Sequence, residues 1–592
     1  RTESHRQPVA YEEVNDHLIN AILATEDSEF FEHSGINIRS FMRAVWEELT
    51  SPGEGTGGST ITQQLVKNQF LSPERSFDRK FTEMLLAMRV ERILSKEEIL
   101  EAYMNMVYLG YNANGTNIEG VGAAAEGLFG VKPSELHLAQ AAYIAGMIQS
   151  PGRYTPFNRN GTINEENLSR GLKRMEYVLG RMLETGRITK EEYEEALAFD
   201  IKGSLAKPQP SIVDKYPYLT FAIEEAAIDI LLQLHLKEAG LDMEEVDDLE
   251  PYRAQARQDL FRGGYKIYTT IDRELYEALH EVVAKADFGP RSKKHRVTVE
   301  DVETGEEKEV GLLEQVGGTL IDNRTGAILA MIEGRDFNES QVNFSRAPRQ
   351  PGSAIKPILD YAPAFELGVL QPASVLDDAP LYTYDYSTGR YKRFTNFSGQ
   401  YYGLVTVRKA LEQSYNIPAI KAMQKVAEED RNTVLSFLRL MGLEQITADD
   451  LDILPSAIGG GSWNVSVEEL TAAFATFANQ GQYREPYLIE RIETMDGNVI
   501  YQHEVKPVQV FSPQTAFLIT DTLRDVVRSG TASLIGSRVG NVDLAGKTGT
   551  TSDTYDYWFI GYTPQITLGL WRGYELNDSL SAGYSRRHQL LW

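Results

Sequence analysis

Arg349-Gln350-Pro351-Gly352-Ser353-Ala354-Ile355-Lys356-Pro357 is the stretch from which the rest of the chain is best read. If a helix starts near Gly352, Ser353 and Lys356 share one face, because residues three apart in a helix lie one above the other. The lysine amine then stands within hydrogen-bond reach of the serine hydroxyl, the least that an activated serine nucleophile needs. Pro357 suits that helix, since the N–H groups of a first turn have no intrahelical partner. The motif does not decide alone. A chain of this length should carry roughly two Ser-x-x-Lys matches by chance, and Ser204-Leu205-Ala206-Lys207, also followed by proline, is one.

What lies downstream separates the two. Ser414-Tyr415-Asn416 closes a predicted helix, and Lys547-Thr548-Gly549-Thr550 follows Gly546 on a predicted strand. Ser204 sits in a proline-rich linker with no partner motif at comparable spacing. Ser462-Trp463-Asn464 also matches Ser-x-Asn, but three glycines precede it and a helix follows, which suits a turn or helix cap. No histidine lies near Ser353, so lysine must be the base if this serine is the nucleophile.

The ordered set S-A-I-K, S-Y-N, K-T-G-T resembles that of penicillin-binding transpeptidases and serine β-lactamases. The resemblance implies that Ser353 attacks a peptide carbonyl and that Lys356, held neutral, takes its proton. Ser414 and Asn416 would relay a proton and hold the substrate amide; Lys547 and Thr548 would bind the substrate carboxylate. Backbone N–H groups of Ser353 and Thr550 would form the oxyanion hole, and Gly549 would permit close backbone approach.

At 592 residues the chain exceeds what one hydrophobic core serves, so two or three domains are expected. Its 42% apolar and 24% charged residues are ordinary for a globular protein. A net charge of −26 argues against nucleic-acid binding, and the absence of cysteine removes thiolate chemistry and disulfides. No run of about 18 apolar residues occurs. The chain opens at Arg1 in a polar segment and is read as a soluble extracytoplasmic fragment lacking an N-terminal signal or anchor. Residues 585–592 read as the start of a helix, a second trimmed edge.

From Val14 to about Asp200 the apolar spacing is helical, with helices over Asn15–Ala24, Phe81–Arg92, Lys96–Val107 and Leu136–Ile148. Ser95 with Glu98 forms a capping-box signature. Loops are expected at 51–58 and Tyr111–Gly122, and the region 1–200 reads as an all-α domain. Residues 201–314 read as a small α+β connecting module without chemistry, containing an acidic run (244–248), a strand over 264–270, a helix over Asp272–Ala286 and a hairpin over Val297–Val310. From 315 to 592 the pattern is α/β. Strands Gly318–Asp322 and Ala327–Ile332 come first, and helices Val405–Ser414, Ile417–Ala427 and Val465–Asn479 follow. Strands Val542–Thr550, Tyr557–Tyr562 and Gln565–Trp571 come last, and one mixed sheet is expected.

The helical region holds a second constellation: Glu26-Asp27-Ser28-Glu29-Phe30-Phe31-Glu32-His33-Ser34-Gly35, then Gly57–Asn68, Arg79–Glu83 and Ile99–Gly110. Six basic residues stand between Gln64 and Arg92 in a strongly acidic chain, the charge a diphosphate leaving group requires. Arg79 and Glu83, four apart on one face, also suit a plain helix ion pair. These blocks resemble the lysozyme-like peptidoglycan glycosyltransferase domain of bifunctional penicillin-binding proteins. By that resemblance Glu26 is the general base for the acceptor sugar's 4-hydroxyl. Glu83 assists departure of the donor diphosphate with Lys67, Arg79 and Lys80, and Gln64 contacts substrate. That family carries Glu where Gln140 stands here before Ala141-Ala142, a departure read as structural. The glycine-rich stretch 52–58 suits a mobile lid.

Together the blocks resemble a class A penicillin-binding protein, a cell-wall synthase that polymerises lipid II and cross-links stem peptides through an acyl-serine. The resemblance implies nascent peptidoglycan as partner, β-lactams as covalent inhibitors and a place on the outer face of a bacterial plasma membrane through a single N-terminal anchor. It implies no cofactor or metal for transpeptidation and allows a divalent cation in the glycosyltransferase site. Two rivals stand: the same serine site with water as acceptor (a carboxypeptidase or β-lactamase), and a β-lactam-sensing or scaffold module with a silent first domain.

Overall fold

The computed structural model describes residues 4–37, 59–70, 77–208, 212–243, 246–288, 295–300, 307–385, 390–580, 589 and 591–592. The glycine-rich 52–58, Glu244-Glu245 at the start of the acidic run, residues 301–306 of the hairpin reading and 585–588 and 590 of the C-terminal helix reading lie outside these residues. The chain divides into two compact units, Arg1–Lys215 and Tyr216–Trp592. Residues 216–314 of the stretch read as a connecting module thus fall in the second unit.

The first unit is built on helices α1 (Asp16–Glu26), α2 (Ile61–Phe70), α3 (Phe77–Val90), α4 (Lys96–Met106), α5 (Leu138–Met147) and α6 (Glu165–Glu184). Their starts are written in the sequence. Asn15 accepts from the His17 N–H at the head of α1. Ser95 and Glu98 exchange side-chain and backbone bonds at the head of α4, as the capping-box pattern predicts. Leu18, Ile22, Tyr103, Ile144 and Val178 are fully buried and join α1, α4, α5 and α6 in one core. The unit is not purely helical. Strands β1 (Ser4–Arg6), β2 (Tyr108–Tyr111) and β3 (Asn117–Glu119) form a small sheet in the order β1-β3-β2. Strands of three or four residues hold too few alternations to be told from loop.

The second unit centres on a five-stranded sheet of β5 (Gln315–Asp322), β6 (Ile328–Ile332), β7 (Ala545–Thr550), β8 (Asp556–Tyr562) and β9 (Ile566–Gly573), in the order β7-β8-β9-β5-β6. Every neighbouring pair is antiparallel, so the expected mixed sheet is corrected. The short connections 323–327, 551–555 and 563–565 dictate three of the four pairs, since a parallel crossover needs a dozen residues or more; the fourth, β9 with β5, joins distant segments. Helix Arg273–Lys285 covers one face through Val283, Val316, Ile332 and Leu570, and helix Val467–Ala478 covers the other through Ala472, Ile321 and Met331. Both faces are therefore dry, and β5 reads as an unbroken buried run.

The region before the sheet is knitted into this unit. Strand β4 (Lys266–Thr269) pairs with Ile489–Glu493, and His295–Glu300 pairs with Glu307–Leu312 as the hairpin reading anticipates. Glu333, fully buried, accepts from the Tyr276 hydroxyl and lies 3.2 Å from His280 Nε2. Arg572, buried on β9, pairs with buried Glu314 and donates to the Phe288 carbonyl.

Candidate active sites

The helical turn that carries Ser353 begins where expected. Gly352–Ile355 is a 3-10 turn, Pro357–Tyr361 a π-helical turn and Ala362–Glu366 an α-helical one. In a 3-10 turn residues i and i+3 eclipse, which sets Ser353 and Lys356 on one side. Gly352 has φ +52°, and a β-carbon there would stand 2.5 Å from the Thr550 carbonyl oxygen. A β-carbon on Gly549 would stand 2.5 Å from the Pro351 carbonyl oxygen. The two glycines thus let the serine turn lie directly on β7. Gly459, with φ +74°, backs Gly352 from the other side at 2.2 Å for the same virtual atom.

The Lys356 ammonium is fully buried and donates to Asn416 Oδ1 (2.8 Å), to the Ser414 carbonyl (2.8 Å), to Ser414 Oγ (3.3 Å) and to the Tyr415 carbonyl (3.3 Å). These bonds hold the amine on the Ser-x-Asn segment, and among the described residues no hydrogen bond joins it to the Ser353 hydroxyl on the same side of the turn. Ser414 adopts φ +58° to turn its carbonyl toward the amine, a left-handed conformation unusual outside glycine. Lys547, also fully buried, donates to Ser414 Oγ (2.8 Å) and to the Thr548 carbonyl (2.8 Å). One hydroxyl therefore stands between two lysine amines. The Thr548 hydroxyl shares a hydrogen bond with that of Thr531 at 2.7 Å, a partner the sequence reading did not single out.

Burial drives both amines toward neutrality. It lowers Lys356 to about 7, against the opposing pull of the Asp360 carboxyl. It lowers Lys547 well below the ordinary lysine range, and the Lys356 charge adds to the effect. Asp360 is itself fully buried with neither oxygen hydrogen-bonded, and burial holds it well above the carboxylate range.

Ser204 donates its hydroxyl to the Ile201 carbonyl and takes no part in any such group. Ser462 holds Asp450 at 3.3 Å in a turn. The cap of the following helix is Ser466, whose bonds with Glu469 form a capping box, so of the two roles allowed for Ser462 the structure gives the turn.

In the first unit α1 ends at Glu26, whose carboxylate accepts from Gln64 Nε2 at 2.9 Å. Tyr103 on α4 donates to Gln64 Oε1 at 3.2 Å, which fixes the amide so that its N–H faces Glu26. Burial raises the Glu26 carboxyl above its ordinary value, against the Gln64 hydrogen bond and the charges of Arg174 and Lys67. Neighbouring Asp27 is structural: it holds His33 and accepts from the Ile61 N–H at the head of α2. On α3 the buried Glu83 accepts from Lys80, whose ammonium also reaches Ser59 Oγ at 2.8 Å. Among the described residues the ion pair of Glu83 is with Lys80. The Arg79 backbone lies in α3 and its side chain lies outside the described residues. Gln140 is buried and accepts from the His137 N–H at the head of α5, the structural part expected of it. Among the described residues no group of three or more His, Asp or Glu side chains is arranged to hold a metal ion, and no helix is long and apolar enough to cross a membrane.

These two sites agree with what the chain is similar to. The family model "Transglycosylase" matches residues 1–183, and "Penicillin binding protein transpeptidase domain" matches residues 316–570. Penicillin-binding protein 1F of Bacillus subtilis is 32% identical over 98% of this chain and 73% of its own length. Penicillin-binding protein 1A of Clostridium perfringens is 33% identical over 97% of this chain and 82% of its own. The crystal structure of penicillin-binding protein 1A from Haemophilus influenzae shares the fold, with a TM-score of 0.61 at 21% identity, covering 100% of this chain and 89% of that one. The chain belongs to the bifunctional class A penicillin-binding proteins, and both catalytic domains of that family lie within it.

Proposed function

We propose that the first unit polymerises lipid II and that the second cross-links the stem peptides of the resulting strands. The observation that carries the second half is the Ser414 hydroxyl held between the Lys356 and Lys547 amines beside the Ser353 turn. Ser353 Oγ attacks the carbonyl of the penultimate D-alanine, and its proton passes to the neutral Lys356 amine. Ser414 returns a proton to the departing D-alanine amine, and an acceptor amine then cleaves the ester. Asn416 positions the peptide amide, while Lys547 and Thr548 receive the terminal carboxylate and Gly549 lets the serine turn lie close beside them. Ser353 and Thr550 N–H groups stabilise the oxyanion. A β-lactam enters the same route and stays as the acyl-enzyme.

In the first unit Glu26 removes the proton of the acceptor 4-hydroxyl, with Gln64 holding both the carboxylate and the sugar. Lys67, Arg79 and Lys80 receive the diphosphate charge, and Glu83 acts through Lys80, whose ammonium it orients. A lipid-linked substrate places the chain at the outer face of a bacterial plasma membrane.

The test is a lipid II polymerisation assay with and without penicillin. Glu26→Gln should lower polymerisation by about 100-fold or more, the usual worth of a general base, and leave fluorescent-penicillin labelling intact. Ser353→Ala should end the labelling. Loss of both activities in Glu26→Gln, or labelling that survives Ser353→Ala, overturns the assignment. Fast release of hydrolysed penicillin would favour the rival in which water is the acceptor.

A further inference from the structure

The Ser-x-Asn segment is held by residues that no motif marks. Asp378 ends the strand Val375–Asp378 and is fully buried. Its Oδ2 accepts from Asn396 Nδ2 at 2.7 Å and from the Tyr402 N–H at 2.9 Å. Asn396, also buried, gives its second N–H to the Gln400 carbonyl (2.9 Å), and its Oδ1 accepts from the Asn416 N–H at 2.7 Å. The carbonyl of the preceding Thr395 accepts from Asn416 Nδ2 at 2.8 Å.

Two consequences follow. Helix Asn416–Leu440 has no side-chain cap from its own N-cap residue, Tyr415. Asn396, twenty residues upstream, supplies the missing acceptor for an N–H that would otherwise be orphaned. The Asn416 amide is also fixed in sense: with its Nδ2 on the Thr395 carbonyl, its Oδ1 must face Lys356, which donates to it at 2.8 Å. The hydrogen bonds therefore run without a break from Asp378 through Asn396 and Asn416 to the Lys356 amine. Asn396 cannot flip, because both its N–H groups meet acceptors and its oxygen meets a donor.

We propose that Asp378 and Asn396 are a positioning pair for acyl transfer, setting the Lys356 amine through the backbone and amide of Asn416. The inference rests on the transpeptidase reading above, with Ser353 as nucleophile and Lys356 as base. Neither residue touches the reacting atoms.

The experiment measures, on the whole chain, the acylation rate of the bound complex separately from the affinity for a fluorescent penicillin. Asn396→Asp sets one buried carboxylate against another and should lower the acylation rate about 100-fold, the cost of displacing a catalytic group by about an ångström. Adding Asp378→Asn restores one amide facing one carboxylate. The new carboxylate takes the Asn416 N–H and an N–H of the new amide, but because Oδ2 of Asp378 serves both Asn396 and Tyr402, the amide that donates across no longer accepts from the Tyr402 N–H, and the Gln400 carbonyl loses its donor as well. This exchanged pair relieves the carboxylate–carboxylate repulsion without restoring every bond, so it should recover part of the loss, acylating about fivefold faster than Asn396→Asp alone, a coupling that directly interacting residues show. Asn396→Ala, which buries no carboxylate pair, should lower the acylation rate about tenfold with affinity little changed, and it decides the matter if either other variant fails to fold. A parental acylation rate in Asn396→Asp or Asn396→Ala, or an exchanged pair no faster than Asn396→Asp alone, overturns the proposal. Labelling that survives Ser353→Ala would instead overturn the reading beneath it.

Discussion

A base of ordinary lysine strength could not serve Ser353 near neutral pH, and the structure fixes how the rate must respond to acid. Burial takes Lys356 from 10.5 to about 7. At pH 7 about half of the amine is then neutral, whereas at the ordinary value only about one molecule in 3,000 would be. The titratable groups that face it are Asp360 from its own helical run and Lys547 from β7. Acylation by a fluorescent penicillin, measured by rapid quench, should fall about tenfold between pH 8 and pH 6 and change by only about a tenth between pH 8 and pH 9. Asp360→Asn removes the carboxyl that favours the ammonium, so the midpoint should move to lower pH. A rate still climbing about tenfold per pH unit above pH 8 would mean an unperturbed lysine. A rate indifferent to pH between 6 and 8 would remove Lys356 from the role of base; either result refutes the argument.

Two further substitutions test the frame around this site. Gly459→Ala puts a β-carbon 2.2 Å from the Gly352 carbonyl oxygen at a residue with φ +74°; penicillin acylation should drop at least about tenfold by displacing the serine turn, and unchanged kinetics would show that the contact is not needed. Arg572→Met removes the guanidinium that pairs with buried Glu314 and donates to the Phe288 carbonyl, which should destabilise the second unit by up to about 3–5 kcal/mol in thermal or urea unfolding; an unshifted transition would show the pair to be inert.

The sequence carried the chemistry more plainly than the scaffold. Ser353, Lys356, Ser414, Asn416 and Lys547 could be named because their order is distinctive, and Gly549 because a glycine after Lys-Thr on a strand signals close approach. The Glu26–Gln64 bond was not legible in the same way: it joins the end of α1 to α2 across 38 residues, and nothing periodic records such a contact. Asp378, Asn396 and Thr531 escaped for that reason too, each acting through a partner far along the chain. Ser466 is a different case. Its Ser-x-x-Glu pattern with Glu469 was present in the sequence, and Ser462 drew attention away because it matched a catalytic motif. The direction of three of the four strand pairings was recoverable from the 323–327, 551–555 and 563–565 connections, which are too short for parallel neighbours.

The two sites use one physical lever on groups of opposite charge. Burial lifts the Glu26 carboxyl and depresses the Lys356 amine, since in each case it penalises the ionised form. The roles proposed for them require opposite states: the carboxylate must be ionised to accept a proton, and the amine must be neutral. Both requirements are met above the respective pKa, so acid silences both activities and neither is favoured at the other's expense. Polymerisation should therefore decline on acidification before pH reaches the ordinary glutamate value of 4.5. Removing the Gln64 amide by Gln64→Leu, which deletes the hydrogen bond that favours the carboxylate, should shift that decline to higher pH. Polymerisation by the parent that persists undiminished at pH 4.5, or an acid limb that Gln64→Leu leaves in place, would show that Glu26 is not the titrating base.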